Sequence, residues 1–537
     1  MQNKKIFYLL LFIKWQTREG SAAVLAFGRW RLWSWTGSAI FGWKKHTYKS
    51  VLVKADGKCY NADRDESRAW KDLCFMNTEE NKLTGRSENK ITEGVIWKQL
   101  LLFFFPILFG TFFQQLYNAA DAMIVGRFVG KEALSAVGGG TGTIIQVLVG
   151  FFVGLSSGAT VVISQYYGAK REEMVSYAVH TAIAFSLAAG VVMTVVGIAA
   201  APSVLRAMDT PADVMAPSIT YISIYFAGLT GNLIYNMGAG ILRAVGDSKR
   251  PLYFLIASCM TNIVLDLLFV VGFHMGVAGA ALATIISQAL SAVLVIAVLM
   301  RTQDMYRLEL KKIRFDGRMF VRIIRIGFPA GLQSIMYSVS NLIIQASVNS
   351  LGTDTVAAWT AYSKIDSVYW MIINAFGIAV TTFAGQNYGA GKNDRVRKGV
   401  RVCLGMSFGS TVVLSVLLYY VGVYFYSLFT TDPEVTRIGV EMLQYLVPFY
   451  VTYVAIEILS GALRGVSDCW IPMLLSCLGV CVLRILWIVA VVPLRRDIYN
   501  IMFSYPLTWT VTSILFAVYY LLFSKLRVRA GRKESVA

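Results

Sequence analysis

From Ile96 onward the chain is a series of apolar stretches, each about 20 residues or longer, separated by short polar loops. No other feature limits its fold so tightly. Backbone groups in hydrocarbon need partners within their own segment, so stretches of this length must be helices. Twelve spans are expected, at 97–123, 133–165, 174–203, 213–242, 251–273, 276–300, 319–350, 355–385, 399–428, 435–463, 470–493 and 499–524. Composition agrees: 56% of residues are hydrophobic and 15% charged, where a soluble chain carries about 25% charged residues. A water-soluble globule, a disordered chain and a nucleic-acid-binding protein are all excluded. The expected fold is all-α and polytopic, with the lipid bilayer as its surroundings.

The chain has a net charge of +19, and within the core its cations cluster in one set of loops. Lys170 and Arg171 lie in that set, as do Arg243, Lys249 and Arg250. It continues with Arg301, Arg307, Lys311, Lys312 and Arg314, then Lys392, Arg395, Arg397 and Lys398. The alternate loops are poor in cations. The positive-inside rule therefore places the rich set and both termini in the cytoplasm, with the protein in the cell membrane. The seven cysteines are scattered without a CxxC pair, and most fall in apolar runs, as reduced structural residues do. Three histidines (His46, His180, His274) are too few and too dispersed for a metal site.

Residues 1–75 differ from the rest. They hold six of the 12 tryptophans and a net charge of +8, with no sustained helical period. The apolar run Ile6–Ile13 is too short to span a bilayer, and no clean cleavage site comes after it. Two readings stand: a non-core, disordered or upstream extension ahead of a start at Met76, or an interfacial Trp/Arg-rich segment. The core then divides into a half over 76–300, a basic linker over 301–318, and a second half with a basic tail over 319–537.

The division rests on an internal repeat. "FFPILFGTFFQQLYN" from Phe104 aligns with "GFPAGLQSIMYSVSN" from Gly327, pairing Pro106 with Pro329 and Asn118 with Asn341 at 223 residues. "SQYYGAK" aligns with "GQNYGAG". "ILRAVGDSKRP" aligns with "ALRGVSDCWIP", pairing Arg243 with Arg464, Asp247 with Asp468 and Pro251 with Pro472 at 221 residues. Six spans per unit return the chain to its starting side, so both halves have the same topology about an axis along the membrane normal. Secondary transporters are built this way, with sites near the midplane.

Ionisable residues inside spans are costly and mark function by default. Gln114, Asn118 and Asp121 share one face of span 1, and Asn262 and Asp266 share one face of span 5. Thr284 lies in span 6. Two carboxylates with amides and a hydroxyl offer hard oxygen ligands, or a proton site. The bland alternatives are an interfacial Asp121–Arg127 pair and a structural Asp266. The repeat places Ile344, Leu483 and Trp487 at or near the positions of Asp121, Asn262 and Asp266, so the second half has lost both carboxylates. That asymmetry favours one cation site, in the N-terminal half.

Span 7 carries Gln333, Tyr337, Asn341, Gln345 and Asn349 at steps of four. This stripe reads equally as cavity lining or as interhelical hydrogen bonding. Lys364 and Asp366 do not face each other at i and i+2, so each needs its own partner. Glu457 serves either cationic substrate or packing. Pro106 removes a backbone hydrogen bond within span 1 and, with Gly110, makes a hinge whose bend responds to Asp121. Gly138, Gly139 and Gly140 read first as a close-packing site and second as a bend.

These residues together resemble the multidrug and toxic compound extrusion (MATE) transporters, in their bacterial branch. The resemblance covers about 92–525 and rests on the duplicated six-span halves and a set of local motifs. These are "FFP" opening span 1, "NAADAMIVGRFVG" closing it, "QYYGAK", "ILRAVGDSKRP", "NIVLDLLF" and "GVAGAALATIISQ". It implies an antiporter, not an enzyme, that expels amphiphilic, often cationic compounds by alternating access in exchange for Na⁺ or H⁺. It needs no cofactor beyond that ion. The resemblance maps cation-site residues onto Asp121, Asn262, Asp266 and Thr284, and the bending proline onto Pro106. A substrate cavity is expected at Gln114, Asn118, Gln333, Tyr337 and Asn341. Some members carry a glutamate in span 7 for a second cation site; Tyr337 stands near that place here. A monomer is expected. Alternatives are a lipid-linked oligosaccharide flippase, whose relatives commonly have fourteen spans and basic cavities, and a membrane-embedded enzyme or scaffold.

Overall fold

In the computed structural model, residues 24–25, 52–55, 58–61, 90–427, 430 and 432–527 are described. Two compact units divide the chain, 1–88 and 89–537. In the first, strands β1 (Val24–Leu25), β2 (Leu52–Ala55) and β3 (Lys58–Asn61) pair antiparallel in that order. The Ile6–Ile13 run and the expected start at Met76 lie outside the described residues.

The second unit is all helix. The N-terminal half runs through α1 (Ile96–Phe128), α2 (Lys131–Gly138), α3 (Gly140–Gly168), α4 (Glu172–Ala207), α5 (Ala212–Ala244), α6 (Lys249–Asp266) and α7 (Gly276–Arg301). The C-terminal half runs through α8 (Gly317–Asn349), α9 (Thr353–Gly389), α10 (Asn393–Tyr426), α11 (Pro433–Leu446), α12 (Tyr450–Gly465), α13 (Trp470–Ser476), α14 (Leu483–Ala490) and α15 (Ile498–Leu522). Joined where the chain continues without reversing, they give twelve crossings. Eleven are long and apolar enough to span a membrane by composition alone. The exception is α8, whose first turns carry Arg318, Arg322 and Arg325 and whose middle carries the glutamine–asparagine stripe.

Local chemistry explains the ends. Asp316 begins α8 by accepting from the Met319 N–H at 2.8 Å, and Asp497 begins α15 by accepting from Asn500 at 2.7 Å. Asp432 caps α11 ahead of Pro433, where the missing N–H costs nothing. The repeat also preserves its turns. Lys170 (φ 55°) after α3 matches Gly391 (φ 72°) after α9, and Gly246 (φ 100°) matches Ser467 (φ 58°). Left-handed backbone recurs at the same places although the residue changes, so the turn rather than the side chain is the element the duplication kept.

Several crossings are interrupted. Span 2 breaks at Gly139, between α2 and α3, so the glycine triplet serves a bend; a Cβ on Gly139 would meet the Ser135 carbonyl of the preceding turn, and Gly140 lies against Met208 and Thr210. Spans 5 and 11 each contain a π-helical segment, Leu267–Gly272 after α6 and Cys477–Val482 between α13 and α14.

The halves meet most closely along α3 and α8. Gly154 and Gly158 face Gly331 and Gly327, and a Cβ on any of the four would overlap the opposing helix. Small residues allow backbones this close, which is how helices associate where lipid is as apolar as leucine. The two helices that carry the paired prolines Pro106 and Pro329 cross between halves. The start of α1 (Leu100, Phe103, Phe104, Ile107) belongs to the large C-terminal core, while Ile124 and Val125 belong to an N-terminal cluster. The start of α8 (Met319, Ile323, Ile326) mirrors this by packing into the N-terminal core, with Ile344 and Val348 in the C-terminal one. Pro106 and Pro329 lie near the two crossovers.

The basic linker is docked rather than loose. Tyr306 and Leu308 are buried, and the Glu309 N–H donates to His180 Nε2 at 3.0 Å. That bond gives His180 a structural role on α4. The five described cysteines (Cys259, Cys403, Cys469, Cys477, Cys481) are free and buried. Valines and tyrosines such as Val195, Val413 and Tyr420 face outward, as a lipid-facing surface requires.

Candidate cation site and its counterpart

The packing of α1 on α6, and of α6 and α5 on α7, brings four of the sequence-selected residues into one region of the N-terminal half. Asp121 is 6% exposed, Asn262 and Asp266 0%, and Thr284 3%. Asp121 and Asp266 lie close enough to feel each other's charge. Tyr221 on α5 is within electrostatic range of both, and Tyr117 of Asp121. Gln288 joins them one turn beyond Thr284.

The informative feature is the partners these groups lack. Asp121 Oδ1, both Asp266 carboxylate oxygens, both Asn262 amide atoms, Thr284 Oγ1 and Gln288 Oε1 are enclosed without a hydrogen-bond partner. Burying such groups unsatisfied costs about 1–3 kcal/mol each, more when charged. Folded proteins avoid this nearly everywhere. Asp121 also makes no ion pair with Arg127 or with any other described residue. The donor set fits a hard monovalent cation or a proton: two carboxylates and neutral amide and hydroxyl oxygens, with no soft ligand. Among the described residues no group of three or more His, Cys, Asp or Glu could hold a metal ion.

The C-terminal half is different. Asp366 has a partner on each oxygen: Tyr450 Oη donates to Oδ1 at 2.5 Å, and Trp370 Nε1 donates to Oδ2 at 2.6 Å. Lys364 points elsewhere and is exposed, as the i, i+2 spacing requires. Glu457 sits beside Gly377, with Arg464 the charge it feels.

The π segment before α14 also alters the expected correspondence. One extra residue is taken up there, so burial pairs Cys259 with Cys481, Asn262 with Arg484 and Asp266 with Ile488, all 9% exposed or less. Leu483 and Trp487, the counterparts expected by counting, are only partly buried. The second half still lacks the carboxylates, and it holds an arginine where the first holds Asn262.

Of the expected cavity residues, Gln333 and Tyr337 touch each other on α8, and no hydrogen bond among the described residues joins those on α8 to those on α1. On α1, Gln114 is half-buried beside Tyr117, and Asn118 is exposed. On α8, Tyr337 Oη lies 3.4 Å from Tyr453 Oη, Gln333 sits against Ser460 and Arg464, and Asn341 is exposed. Farther along the stripe, Gln345 donates to Asn349 at 2.8 Å. The stripe thus makes some of the interhelical and intrahelical bonds that its bland reading supposes.

Two kinds of group matter that the sequence does not single out. Gln288 could be found there, four residues after Thr284. The tyrosines Tyr117, Tyr221 and Tyr225 could not, because aromatic residues in spans carry no special signal.

A second geometric feature closes one end of the molecule. Gln165 Nε2 donates across the halves to the Gly465 carbonyl at 2.8 Å, and Gln386 Nε2 donates to the Ala244 carbonyl at 2.6 Å. Gly168 and Gly389 touch the Gln386 and Gln165 carbonyls, with no room for a Cβ. The two halves are thus latched, by a symmetric pair of contacts, at the end bearing Lys170 and Lys392.

Comparison with known proteins agrees with this architecture. The MatE family model matches twice, at 106–268 and 329–489, once on each half. The chain is 29% identical over 462 residues to the probable multidrug resistance protein YoeA of Bacillus subtilis, covering 83% of this chain and 97% of that one. It is 24% identical over 427 residues to the multidrug export protein MepA of Staphylococcus aureus strain MRSA252, covering 79% and 91%. Among solved structures, an outward-facing conformation of a multidrug resistance MATE family transporter superposes with a TM-score of 0.75 at 22% identity, covering 81% of this chain and 97% of that one. A MOP superfamily transporter from Pyrococcus furiosus, described as having a binding pocket of reverse polarity, gives the same TM-score of 0.75 at 22% identity. The flippase and enzyme alternatives are not favoured. The twelve-crossing duplicated fold and the family match to each half make this chain a member of the MatE family, a multi-pass membrane transporter and not an enzyme.

Proposed function

We propose that the protein is a plasma-membrane antiporter that exports amphiphilic, often cationic organic compounds in exchange for Na⁺ or H⁺. The names of its relatives support the substrate class. The observation that carries the coupling is the set of enclosed oxygens on Asp121, Asn262, Asp266 and Thr284 that have no partner. An inward-moving cation or proton supplies the missing partner, and its departure leaves a site that must rearrange.

Alternating access is built on the latch and on α1. With the basic loops facing the cytoplasm, the Gln165 and Gln386 contacts close the cytoplasmic end, and the central path opens outward. Gln114, Asn118, Gln333, Tyr337 and Asn341 line that path in this reading. Helix α1 carries Asp121 in its N-terminal-half portion and packs against the C-terminal half before Pro106, for instance through the Phe104–Phe376 stack at 4.1 Å. A cation at Asp121 therefore acts on a helix that belongs to both halves. A ligand shifts such an equilibrium only through different affinity for the two states, and a site on a helix that packs against both halves provides that difference.

The test is transport of a fluorescent cation such as ethidium in proteoliposomes, with Na⁺ and pH gradients imposed separately. Uptake driven by one gradient and abolished by its collapse is expected. Equal rates with and without either gradient would overturn the antiport reading.

A further inference from the structure

Arg484 is the counterpart of the cation site in the second half, with the opposite charge. It lies at the start of α14, is 3% exposed, and takes part in no ion pair among the described residues. Its guanidinium lies 4.1 Å above the Tyr505 ring, and Nη2 donates to Thr508 Oγ1 at 3.1 Å. Nε is enclosed without a partner. Asp366 makes no ion pair with it; its two carboxylate oxygens accept from Tyr450 and Trp370 instead. Arginine stays protonated, so it cannot escape the cost of burial by losing its charge. A charged group left inside a span without a counter-ion marks a binding function.

Two further observations point the same way. Each half sets a π-helical segment against its deeply buried charge: Leu267–Gly272 begins directly after Asp266, and Cys477–Val482 ends directly before the turn holding Arg484. Such segments concentrate at functional sites, since tightening one back to α-helix rotates the residues on its C-terminal side. Around Arg484 the neighbours are also aromatic. Tyr505 packs on Trp509 at 5.3 Å and on Trp359 at 6.2 Å between centroids. This wall suits the flat body of an amphiphile, and the guanidinium fork suits two oxygens of an acid group.

We infer that Arg484, with Tyr505 and Thr508, is an anion-recognition site that takes the carboxylate or phosphate of an aromatic amphiphile. The inference rests on the export reading above and narrows its substrate class: cargo bearing an acid group, zwitterions included, is held by the C-terminal half while the N-terminal half holds the coupling cation. An oxyanion on Arg484 satisfies Nε and neutralises the guanidinium. Cargo and cation then need not compete for the same carboxylates.

The test uses the full chain in lipid nanodiscs and four matched probes: 1-naphthoate, 1-naphthyl phosphate, 1-naphthamide and 1-naphthylmethylammonium. Titration calorimetry should show the acids bound about tenfold more tightly than the amide, a difference of about 1.4 kcal/mol. Preference for naphthoate over naphthyl phosphate, or the reverse, assigns the acid group. Arg484→Gln should abolish the acid preference while naphthamide affinity stays within about twofold, and Arg484→Lys should retain part of it. Equal weakening of all four probes, or a wild-type protein blind to the acid group, would overturn the site. Should Arg484→Gln fail to fold, Arg484→Lys and Tyr505→Leu read the same preference. Ethidium transport by the wild type is scored separately: its failure counts against the export reading, and loss of acid preference bears only on Arg484.

Discussion

The two halves share one fold, and their buried charged groups differ in sign and in partners. In the N-terminal half, carboxylate and amide atoms on α1, α6 and α7 lie enclosed with no partner. In the C-terminal half, Asp366 has a partner on each oxygen, Tyr450 and Trp370, and the unpartnered charge is a cation. The left-handed turns and the paired prolines Pro106/Pro329 and Pro251/Pro472 repeat, so duplication kept features that set the path of the backbone, while the side-chain helix caps at Asp316, Asp432 and Asp497 belong to the C-terminal half alone. The side-chain chemistry at the centre of each half changed, because packing of apolar surface does not constrain it. Under the export reading proposed above, a symmetric frame with asymmetric contents would let one half hold the coupling ion while the other serves the cargo.

The contrast is broken most directly at Asp266. Asp266→Asn keeps the shape and removes the charge. Efflux should fall by about tenfold or more, the scale of a single lost charge interaction, while the amount of membrane-inserted protein stays near normal. Wild-type efflux by this variant would mean that the partnerless carboxylate is not the feature that distinguishes the halves.

Next in size is the latch. Gly389→Val inserts a side chain where the Gln165 carbonyl sits, and Gly168→Val does the same against the Gln386 carbonyl. Both should lengthen the distance between spin labels near Lys170 and Lys392, because the closed end can no longer pack. If only one of the two variants opened that end, the latch would not be symmetric.

Asp366→Asn should act on stability more than on transport. Asparagine keeps one oxygen to accept from Trp370 Nε1–H but turns its amide N–H towards Tyr450 Oη, so the bond that Tyr450 donates is lost or must reverse. The loss should be about 1–3 kcal/mol, seen as a lower thermal midpoint with cation-coupled efflux largely kept. A large efflux loss at unchanged stability would give the C-terminal half a coupling carboxylate of its own.

The smallest effect separates the two prolines. Pro106→Ala should blunt the change in label distance produced by Na⁺ or pH, since α1 carries Asp121. Pro329→Ala should leave that response in place, since α8 carries Ile344 at the matching position. Equal behaviour of the two would leave rigid-body rocking of the halves, without a hinge in α1.

Much of this is legible from residues alone. The spans come from apolar length, and the halves from matched motifs 221 and 223 residues apart. Asp121, Asn262, Asp266 and Thr284 stand out because polar groups in lipid are expensive. The glycine triplet reads first as a packing site and is instead a break at Gly139, because a sequence does not say on which side of a turn a glycine is needed. The match of Asn262 to Leu483 fails for a related reason: counting residues cannot see a π insertion, and one extra residue rotates every later side chain by about a quarter turn or more.

The sequence by itself determined which segments cross the membrane, that they do so as two like sets of six, and which residues are too polar to lie there without a purpose. Those outcomes depend on local composition and on the backbone's need for hydrogen bonds, both readable along the chain. Only the tertiary structure decided which polar groups find partners. Asp366 is satisfied by aromatic residues on its own helix and on α12, Asp121 and Asp266 are left within reach of each other's charge, and Arg484 turns inward onto Tyr505. Each result depends on a contact with another helix, and satisfaction of a buried charge is a property of its neighbours rather than of itself.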